Sequence, residues 1–435
     1  MRAVRPQLSM RLPLRGATFP SARTLPFLEG LLPENREARQ EKARVHGIPD
    51  DPVSLLSVMG WDCPGAVQIT PEDQVEQMLG REGGLEPVTD EEIGARIARL
   101  PDHSASWTLP GEHWSLAGQQ EKFALARVRG ADGSTRWAEA FGSAPTTHIV
   151  KPGIGRLHHQ ALVEHATMRA AALLGVSVAE SEYVDFAGEQ AIVVKRFDRV
   201  RVTSGAVRRI HQEDLAQATG RLPELKYEEY GGPTAADMAR IIRDHARAPG
   251  PELGKLADFV LINYAAAAPD GHAKNISIRI LPDGDVRVAP LYDLASGLPY
   301  GKADVDRRLA LSIGGERQVS RIHAGQWADA LRDRARQMLT GFPDAFHEAL
   351  DEVDTPDADD VWEHAAKPVA DHTAACLKQL DAPTSSTRAR QKAPSQAGGQ
   401  ARGRTTRASN HSSFRSAERA GSKIEMDWPT SPRHT

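Results

Sequence analysis

The sequence predicts a two-lobed α+β fold, in which a strand-rich lobe precedes a mainly helical lobe. Short apolar runs separated by Gly, Asp and Pro dominate residues 106–198, as expected for strands. Residues 199–381 instead place apolar side chains at helical spacing. We therefore expect four segments. An N-terminal subdomain at 1–105 precedes the two lobes, and a disordered basic tail without periodicity follows them at 382–435.

Each element has its own local signal. Thr89 with Glu92, and Thr234 with Asp237, are capping residues that begin two helices. Apolar runs predict strands at 123–128, 137–141 and 148–150. Helical spacing predicts further helices at 158–174, 256–267, 327–339 and 361–380. A Pro-Asp-Gly turn between apolar runs predicts a hairpin with strands at 276–281 and 286–291.

Composition excludes several classes of protein. Residues 384–435 have a net charge of +7 and the rest of the chain −11, so bulk charge does not indicate a nucleic-acid-binding body. Cys63 and Cys376 are too few for a disulfide framework or a cysteine-ligated metal site. No apolar run reaches membrane-spanning length, and Pro6 and Arg11 interrupt the basic N-terminus before a signal-peptide core forms. We expect a cytoplasmic protein.

The strongest chemical signal is the segment APDGHAKN at 268–275. Asp270 and Asn275 lie on a loop between a buried helix and the hairpin, as in the catalytic loop of kinases. Such an Asp orients and deprotonates a substrate hydroxyl, while the Asn offers a neutral oxygen to Mg²⁺. Asp293 follows the hairpin, where kinases place a metal-binding carboxylate. Asp270 alone fits an ordinary turn. The three residues together indicate a kinase that depends on ATP and magnesium.

Other residues near these carry weaker signals. Lys274 either touches the γ-phosphate or is a solvated loop charge, and His272 fits a structural histidine better than a base. Lys151 ends a predicted strand, as does the lysine that binds the α- and β-phosphates in kinases, and Glu164 on the next helix could pair with it. An exposed lysine at a strand end is the alternative for Lys151.

Two further segments fit a nucleotide site. Gly118 lies in a turn at 115–122 that could present backbone N–H groups to phosphates, although one glycine in eight residues is a weak signal. Residues 193–199 predict a strand that enters the junction of the lobes. There an adenine could bond to the backbone and stack on Phe197.

Together these segments resemble the HipA family of toxin serine/threonine kinases. The blocks that carry the resemblance, in the family's order, are SLAGQQEKFAL (115–125), THIVKP (147–152), VVKRFDR (193–199), RIHQEDLAQATG (209–220), KYEEYGGP (226–233), APDGHAKN (268–275) and APLYDLAS (289–296). With weaker flanking similarity, the resemblance covers residues 8–381. A shared fold alone would not place seven blocks in one order.

The resemblance implies roles beyond those argued from the residues. Asp270 would be the catalytic base, Asn275 and Asp293 would hold Mg²⁺, and Lys151 would contact the ATP phosphates. Lys195 and Phe197 would line the adenine site. Residues 211–214 match a family block but also fit a helix start, so we expect a structural role there.

Regulation and partners are implied in the same way. Ser115 occupies the position of a family serine whose autophosphorylation expels its loop from the ATP site and inactivates the kinase; an ordinary turn serine is the alternative. Family kinases phosphorylate aminoacyl-tRNA synthetases. They are neutralised by a helix-turn-helix antitoxin, HipB, through which alone they contact operator DNA.

Three features depart from the family pattern. QLSMRLPL at 7–14 is similar to a PLSxSLPL segment but has Gln7 and Arg11 in place of Pro and Ser. We therefore expect the chain to begin inside the N-terminal subdomain, with the missing piece either a separate protein or lost to a late start. Lys195 stands where some relatives have an acidic residue, which leaves any adenine contact to its backbone. The basic tail has no recognised family counterpart.

Two other functions remain open from the sequence. A catalytically weak family member could act mainly as the partner of a DNA-binding repressor. The short N-terminus is compatible with this alternative. A small-molecule kinase of the aminoglycoside type would also keep an Asp-xxxx-Asn loop, but it lacks the other family blocks. The retention of Asp270, Asn275, Asp293 and Lys151 favours an active protein kinase.

Overall fold

The computed structural model describes residues 7–14, 18–100, 114–130, 133–301 and 307–382. Its helices are α1 Ser21–Gly30, α2 Arg36–His46, α3 Pro52–Met59, α4 Val75–Gly80, α5 Asp90–Arg99, α6 Gln160–Leu173, α7 Leu215–Thr219, α8 Ala235–His245, α9 Pro249–Ala265, α10 Asp329–Asp351 and α11 Pro356–Asp381. Its strands are β1 Gln7–Ser9, β2 Leu12–Pro13, β3 Gly83–Val88, β4 Phe123–Arg129, β5 Thr135–Gly142, β6 His148–Lys151, β7 Ser181–Phe186, β8 Glu189–Lys195, β9 Arg199–Arg201, β10 Val207–Arg209, β11 His211–Asp214, β12 Ser277–Ile280, β13 Val286–Val288, β14 Arg308–Ile313 and β15 Glu316–Gln318. The tail from 383 lies outside the described residues.

The strand-rich lobe is one antiparallel sheet of six strands in the order β3-β5-β4-β6-β8-β7. Its edge strand β3 pairs with β5 from Gly83 opposite Gly142 to Val88 opposite Trp137. The strand at 83–88 therefore belongs to this sheet, although its residues lie within the segment 1–105 predicted as a separate subdomain. Since α5 follows β3 and packs on β7 and β8, the boundary drawn near residue 105 falls after two elements of the lobe.

The N-terminal helices have a small core of their own. Leu31, Leu32, Leu55 and Leu56 are at most 1% exposed and pack with Phe27. Asp51 caps the start of α3, where its side chain accepts hydrogen bonds from the backbone N–H groups of Val53 and Ser54. These helices therefore have a core separate from that of the sheet, while β3 ties the segment to the sheet.

A buried ion network joins the N-terminal helices to the strand-rich lobe. The Asp62 carboxylate lies 2.8 Å from the Arg199 guanidinium and 3.1 Å from Arg209. Arg196 lies 3.0 Å from Asp198, and both side chains are at most 5% exposed. Because buried charges need partners, the charged residues of the block VVKRFDR are structural, apart from its Lys195.

The helical lobe surrounds one large core. Helix α9 is buried along most of its length and packs on α8 and α10, while α10 packs on both α6 and α11. The predicted capping residues Thr234 and Asp237 form a reciprocal capping box at α8, as Thr89 and Glu92 do at α5. Helix α10 is longer than predicted, because Pro343 lies inside it without ending it, whereas α11 begins at Pro356, before its predicted start at 361. Within the described ranges, no helix combines the length and apolarity required to cross a bilayer.

The predicted hairpin is formed by β12 and β13, and β11 completes a three-stranded sheet beside it. Residues 211–214 are thus a strand, and Asp214 caps α7 by accepting a hydrogen bond from the N–H of Gln217. This small sheet positions the loop at 268–275 on one side and the residues after β13 on the other.

Candidate active site

A cleft of about 1110 Å³ lies between the two lobes. It is lined by the turn at 116–122, the ends of β6 and β8, and the loops that follow α9 and β13. The segments that the sequence singled out as chemical therefore come together in one place. The cleft is open to solvent along one side, so a nucleotide and a second substrate could both enter it.

Lys151 lies at the centre of the cleft, at the last residue of β6. Its Nζ donates hydrogen bonds to Glu164 Oε1 at 2.8 Å and to Asp293 Oδ1 at 2.7 Å. The Lys151 and Glu164 side chains are 8% and 1% exposed, whereas that of Asp293 is 32% exposed. The predicted pair between Lys151 and Glu164 is therefore present. The alternative of an exposed strand-end lysine is wrong, because α6 and the segment after β13 enclose the ammonium group.

The backbone places the Asp293 carboxylate toward this lysine. Asp293 has φ of 58°, a left-handed conformation that residues other than glycine seldom adopt. Burial on its own would raise the pKa of the Asp293 carboxyl, but the Lys151 ammonium outweighs burial and holds that pKa well below its usual range. The same contact raises the pKa of Lys151, against the effect of burial. The two groups are therefore a carboxylate and an ammonium throughout the neutral pH range.

Asp270 lies across the cleft in a different environment. Its Oδ1 accepts a hydrogen bond from the Tyr227 hydroxyl and is 3.6 Å from His272 Nε2. The side chain is 57% exposed to the water of the cleft, yet desolvation by the cleft walls, followed by the charge of Asp293, raises the pKa of Asp270 to about 6. An acid with such a pKa is mostly ionised at pH 7 and can still accept a proton.

His272 and Asn275 lie on the same loop as Asp270, at 268–275. His272 is buried, and desolvation, with Lys226 nearby, lowers its pKa to about 3, so its imidazole is neutral. It packs edge-on against the Tyr227 ring at 4.8 Å between ring centres. The Asn275 side chain donates from Nδ2 to the backbone carbonyl of Asp270 at 2.8 Å. That bond assigns the amide nitrogen and leaves the amide oxygen as the atom that could bind a cation.

The structure answers the question left open for Lys274. Its Nζ donates to Asp214 Oδ2 at 2.9 Å and lies 4.0 Å from Glu34 Oε1, and its side chain is 4% exposed. The solvated-charge alternative is therefore wrong. Lys274 borders the cleft, but its ammonium binds to the residue that caps α7, where it holds the loop at 268–275 against the small sheet.

The turn at 115–122 lines one wall of the cleft with its residues 116–122. Gly118 has φ of 107°, and a Cβ at this position would lie 2.5 Å from Lys122 Nζ. Lys122 donates to the carbonyl of Ala117 at 3.0 Å, and desolvation followed by the charge of Lys151 lowers its pKa to about 8. Ser115 is fully buried, with its hydroxyl donating to the carbonyl of Leu31 at 2.6 Å. In this arrangement the Ser115 hydroxyl does not face the cleft.

At the other end of the cleft, the Phe197 ring lies 5.4 Å from that of Tyr292 and borders the cavity. The Lys195 side chain binds to Glu180 at 2.8 Å and is 49% exposed. The backbone N–H of Lys195 also donates to Glu180, at 2.9 Å, because β8 pairs with β7 there. A nucleotide base could therefore reach the Phe197 ring, but the N–H of Lys195 already has a partner.

Some residues of the cleft were missed from the sequence. Tyr227 binds to Asp270, Lys226 pairs with Glu34 at 2.8 Å, and Lys122 lies beside Gly118. Tyr227 and Lys226 lie in the block KYEEYGGP and Lys122 in SLAGQQEK, so their blocks marked them without showing which side chain faced the cleft. No local spacing links Tyr227 to Asp270 along the chain.

Comparisons with known proteins agree with this architecture. A family model of the HipA-like C-terminal domain matches residues 114–361, and one of the HipA N-terminal domain matches residues 1–70. The putative kinase Y4mE of Sinorhizobium fredii is 35% identical over 363 residues, which cover 80% of this chain and 84% of that protein. The serine/threonine-protein kinase toxin HipA of Shewanella oneidensis is 32% identical over 339 residues, covering 74% and 73% of the two chains.

A solved structure extends the comparison to the fold. A chain from the Shewanella oneidensis complex of HipA, HipB and operator DNA superimposes with a TM-score of 0.70 at 26% identity. The match covers 84% of this chain and 88% of that chain. The predicted resemblance and the two-lobed α+β fold are thereby confirmed. The chain belongs to the HipA family of kinases.

Proposed function

We propose that this protein transfers the γ-phosphate of ATP to a serine or threonine of another protein. The observation that carries the proposal is the position of Lys151, which bridges Glu164 and Asp293 in the same cleft as Asp270 and Asn275. Kinases use such an arrangement to hold phosphates beside an acceptor hydroxyl. The cleft also contains further cationic side chains, Lys122 and Lys226, that could face phosphate groups.

Each group has a distinct part in this proposal. Lys151 would bind the α- and β-phosphates, Gly118 and its turn would cover the phosphates, and Phe197 would stack on the adenine. A carboxylate and an amide oxygen suit Mg²⁺, so Asp293 and Asn275 would hold this ion, which supplies charge neutralisation to the phosphates when bound. Asp270 would orient the acceptor hydroxyl and take up its proton.

The protonation states fit these roles. Asp270 has a pKa of about 6, so its carboxylate predominates at pH 7 and is available to the acceptor hydroxyl. The Tyr227 hydroxyl donates to one of its oxygens and would keep the other directed toward the substrate. Asp293, held ionised by Lys151, keeps its negative charge for a cation. The two carboxylates therefore suit different tasks, as their environments differ.

We also propose that autophosphorylation of Ser115 regulates the cleft. The Ser115 hydroxyl is buried and bonded to the carbonyl of Leu31, so a phosphoryl group can be added only after the turn at 115–122 has moved. A phosphate on Ser115 could not return to a fully buried position without unpaired charge. Modification would therefore hold the turn out of the cleft and remove Gly118 from the phosphates.

The proposed partners follow from the relatives. HipA of Shewanella oneidensis was solved together with HipB and operator DNA. We infer that this protein binds a HipB-like helix-turn-helix antitoxin, reaches DNA only through it, and acts in the cytoplasm. The proposed protein substrate is an aminoacyl-tRNA synthetase. The same solved complex supports a second candidate, in which the chain is catalytically weak and acts mainly as the partner of a repressor.

Transfer of phosphate from radiolabelled ATP tests the first candidate against the second. Asp270→Asn should abolish transfer to Ser115 and to a panel of aminoacyl-tRNA synthetases. Asp283→Asn is the matched control, because Asp283 is a half-exposed carboxylate at the turn of the neighbouring hairpin and should leave transfer unchanged. If the unmodified chain transfers no phosphate yet still binds the antitoxin, the repressor-partner function replaces the kinase proposal.

A further inference from the structure

A second group of polar side chains lies outside the cleft, where the start of α6 meets α11. Nε2 of His158 is 2.7 Å and Nε2 of His159 is 3.2 Å from the same Oδ2 of Asp360. One nitrogen or oxygen atom from each of these three residues lies within 4.8 Å of the others. Two imidazoles and one carboxylate, from segments about 200 positions apart in the sequence, thus converge on a single point.

The backbone of α6 brings two consecutive histidines to this point. His159 caps α6 with φ of 51°, so it adopts the left-handed conformation that residues other than glycine seldom adopt. The rings of His158 and His159 lie 3.8 Å apart between centres, and both present Nε2 to Asp360. Side chains of neighbouring residues in regular structure would point in different directions. The turn therefore places two nitrogen ligands side by side.

A further set of contacts orients these ligands. Nδ1 of His159 faces Asp357 Oδ2 at 3.6 Å, and the same oxygen accepts a hydrogen bond of 3.2 Å from the Tyr183 hydroxyl. Histidines that bind metals through one nitrogen commonly face a carboxylate with the other. The second oxygen of Asp360 lies 3.5 Å from Nδ1 of His364. The cluster therefore has second contacts of the kind that commonly orient metal ligands.

We propose that His158, His159 and Asp360 form a binding site for a divalent transition metal ion such as Zn²⁺, which joins α6 to α11. Imidazole and carboxylate ligands suit Zn²⁺, whereas Mg²⁺ prefers oxygen ligands alone. Zinc bonds to nitrogen and oxygen of about 2.0–2.2 Å set tetrahedral ligand atoms about 3.4 Å apart. The His158 and His159 contacts with Asp360 need to lengthen only slightly to admit the ion. Water would complete its coordination.

The site is placed where an ion would act on the cleft. His159 precedes the first turn of α6, and this helix carries Glu164, which binds Lys151. Residues 153–157 line the cleft and lead directly into His158. A metal ion would therefore hold the start of α6 against the helical lobe and favour the pair between Glu164 and Lys151. This last consequence rests on the proposed kinase function, whereas metal binding itself does not.

Isothermal titration calorimetry of the full chain with Zn²⁺, in excess Mg²⁺ and without nucleotide, tests the site. Excess Mg²⁺ occupies oxygen-only positions in the cleft and restricts the signal to sites with nitrogen ligands. We expect one equivalent of Zn²⁺ to bind at these residues, with affinity reduced at least tenfold in His158→Gln and in His159→Gln. Asp357→Asn should also weaken binding, by about 10- to 100-fold, because it removes the outer carboxylate that orients His159.

A matched control and a direct measurement of the ligands complete the test. His347→Asn removes another exposed histidine, which lies 3.6 Å from Asp351, and should leave Zn²⁺ affinity unchanged. X-ray absorption at the zinc edge should show two imidazole ligands, and these should disappear in the His158→Gln/His159→Gln double variant. Equal affinity in the unmodified chain and the double variant would overturn the site, as would a bound ion with oxygen ligands only. Neither result depends on phosphate transfer.

Discussion

Replacement of Lys151 by Met should show how strongly the free energy of unfolding depends on the one positive charge at the centre of the cleft. Lys151 lies within 2.8 Å of a Glu164 oxygen and 2.7 Å of an Asp293 oxygen. Methionine fills a similar volume but leaves both carboxylates without their cation. The Glu164 carboxylate is then destabilised more than that of Asp293, because its side chain is 1% exposed and water cannot replace the lost partner.

The magnitude follows from the distances and burial. At an effective dielectric constant of 20, an ion pair at 2.8 Å is attractive by about 6 kcal/mol, and desolvation of the ions offsets much of this. Removing one partner of a buried pair costs about 3–5 kcal/mol, since the other charge stays buried. The Asp293 pair adds less, because a third of its side chain is exposed to screening water. We expect Lys151→Met to lower the free energy of unfolding by about 3–5 kcal/mol at pH 7.

The loss should depend on pH in a defined direction. Burial already raises the pKa of Glu164 in the folded state, although Lys151 opposes this, and loss of the ammonium should raise that pKa further above its unfolded value of about 4.3. A carboxyl with a raised folded pKa destabilises the protein when ionised, so the deficit should shrink as pH falls from 7 toward 5 and the group takes up a proton. Urea denaturation at the two pH values, followed by tryptophan fluorescence, measures this change.

Two further variants decide whether the reasoning holds. Lys151→Met/Glu164→Gln should recover much of the lost stability, because it removes the unpaired buried charge. Lys367→Met is the control, since Lys367 and Asp371 form a pair that is 82% and 67% exposed, and its loss should change stability by less than about 0.5 kcal/mol. A double variant no more stable than Lys151→Met, or a deficit that does not vary with pH, would refute this account of the ion pair.

Three more perturbations test other parts of the cleft. The value of kcat/KM should fall as pH drops below about 6, where Asp270 is protonated. Tyr227→Phe should move this acidic limb of the pH–rate profile to higher pH, because the lost hydrogen bond had favoured the carboxylate. A limb at unchanged pH would contradict the contact between Tyr227 and Asp270. Gly118→Ala should weaken nucleotide binding about tenfold or more, equivalent to about 1.4 kcal/mol, because its positive φ strains a residue with a Cβ and the new methyl group would displace the Lys122 ammonium. Equilibrium binding of ATP to both proteins measures this. Ser115→Ala should lower the free energy of unfolding by about 1 kcal/mol through loss of a buried hydrogen bond, and it should abolish phosphorylation of the turn at 115–122. A phosphopeptide found elsewhere by mass spectrometry would move the regulatory site.

Local chemistry made much of the architecture predictable from the sequence. Capping at Thr89 and Thr234 marked helix starts that the structure contains, because a cap involves residues only three positions apart. The hairpin between Asn275 and Asp293 was equally readable from its turn. The ends of helices were harder to predict. The pattern stopped short of the full length of α10, since tertiary packing holds Pro343 inside a helix that local preference would end.

The chemical environments in the cleft were not predictable in the same way. The Tyr227 hydroxyl reaches Asp270 across 43 positions of sequence, and Lys274 binds to Asp214 across 60. Such contacts depend on how separate elements pack, and no spacing along the chain encodes them. The same holds for the N–H of Lys195, which became unavailable to a nucleotide only because β7 lies beside β8. Sequence patterns located the site, whereas packing set the charges and hydrogen bonds within it.

The pairing of β3 with β5 limits how this chain can be divided. A shortened chain that starts near residue 106 would lack Gly83–Val88 and leave β5 with a row of unpaired N–H and C=O groups. Exposed edges of this kind recruit strands from other molecules, so such a fragment should associate with itself rather than remain monomeric. Mutations that loosen the link between β3 and α5 would have the same effect in the intact chain. We therefore expect the N-terminal segment to protect the strand-rich lobe from aggregation, independently of any part it has in binding a partner.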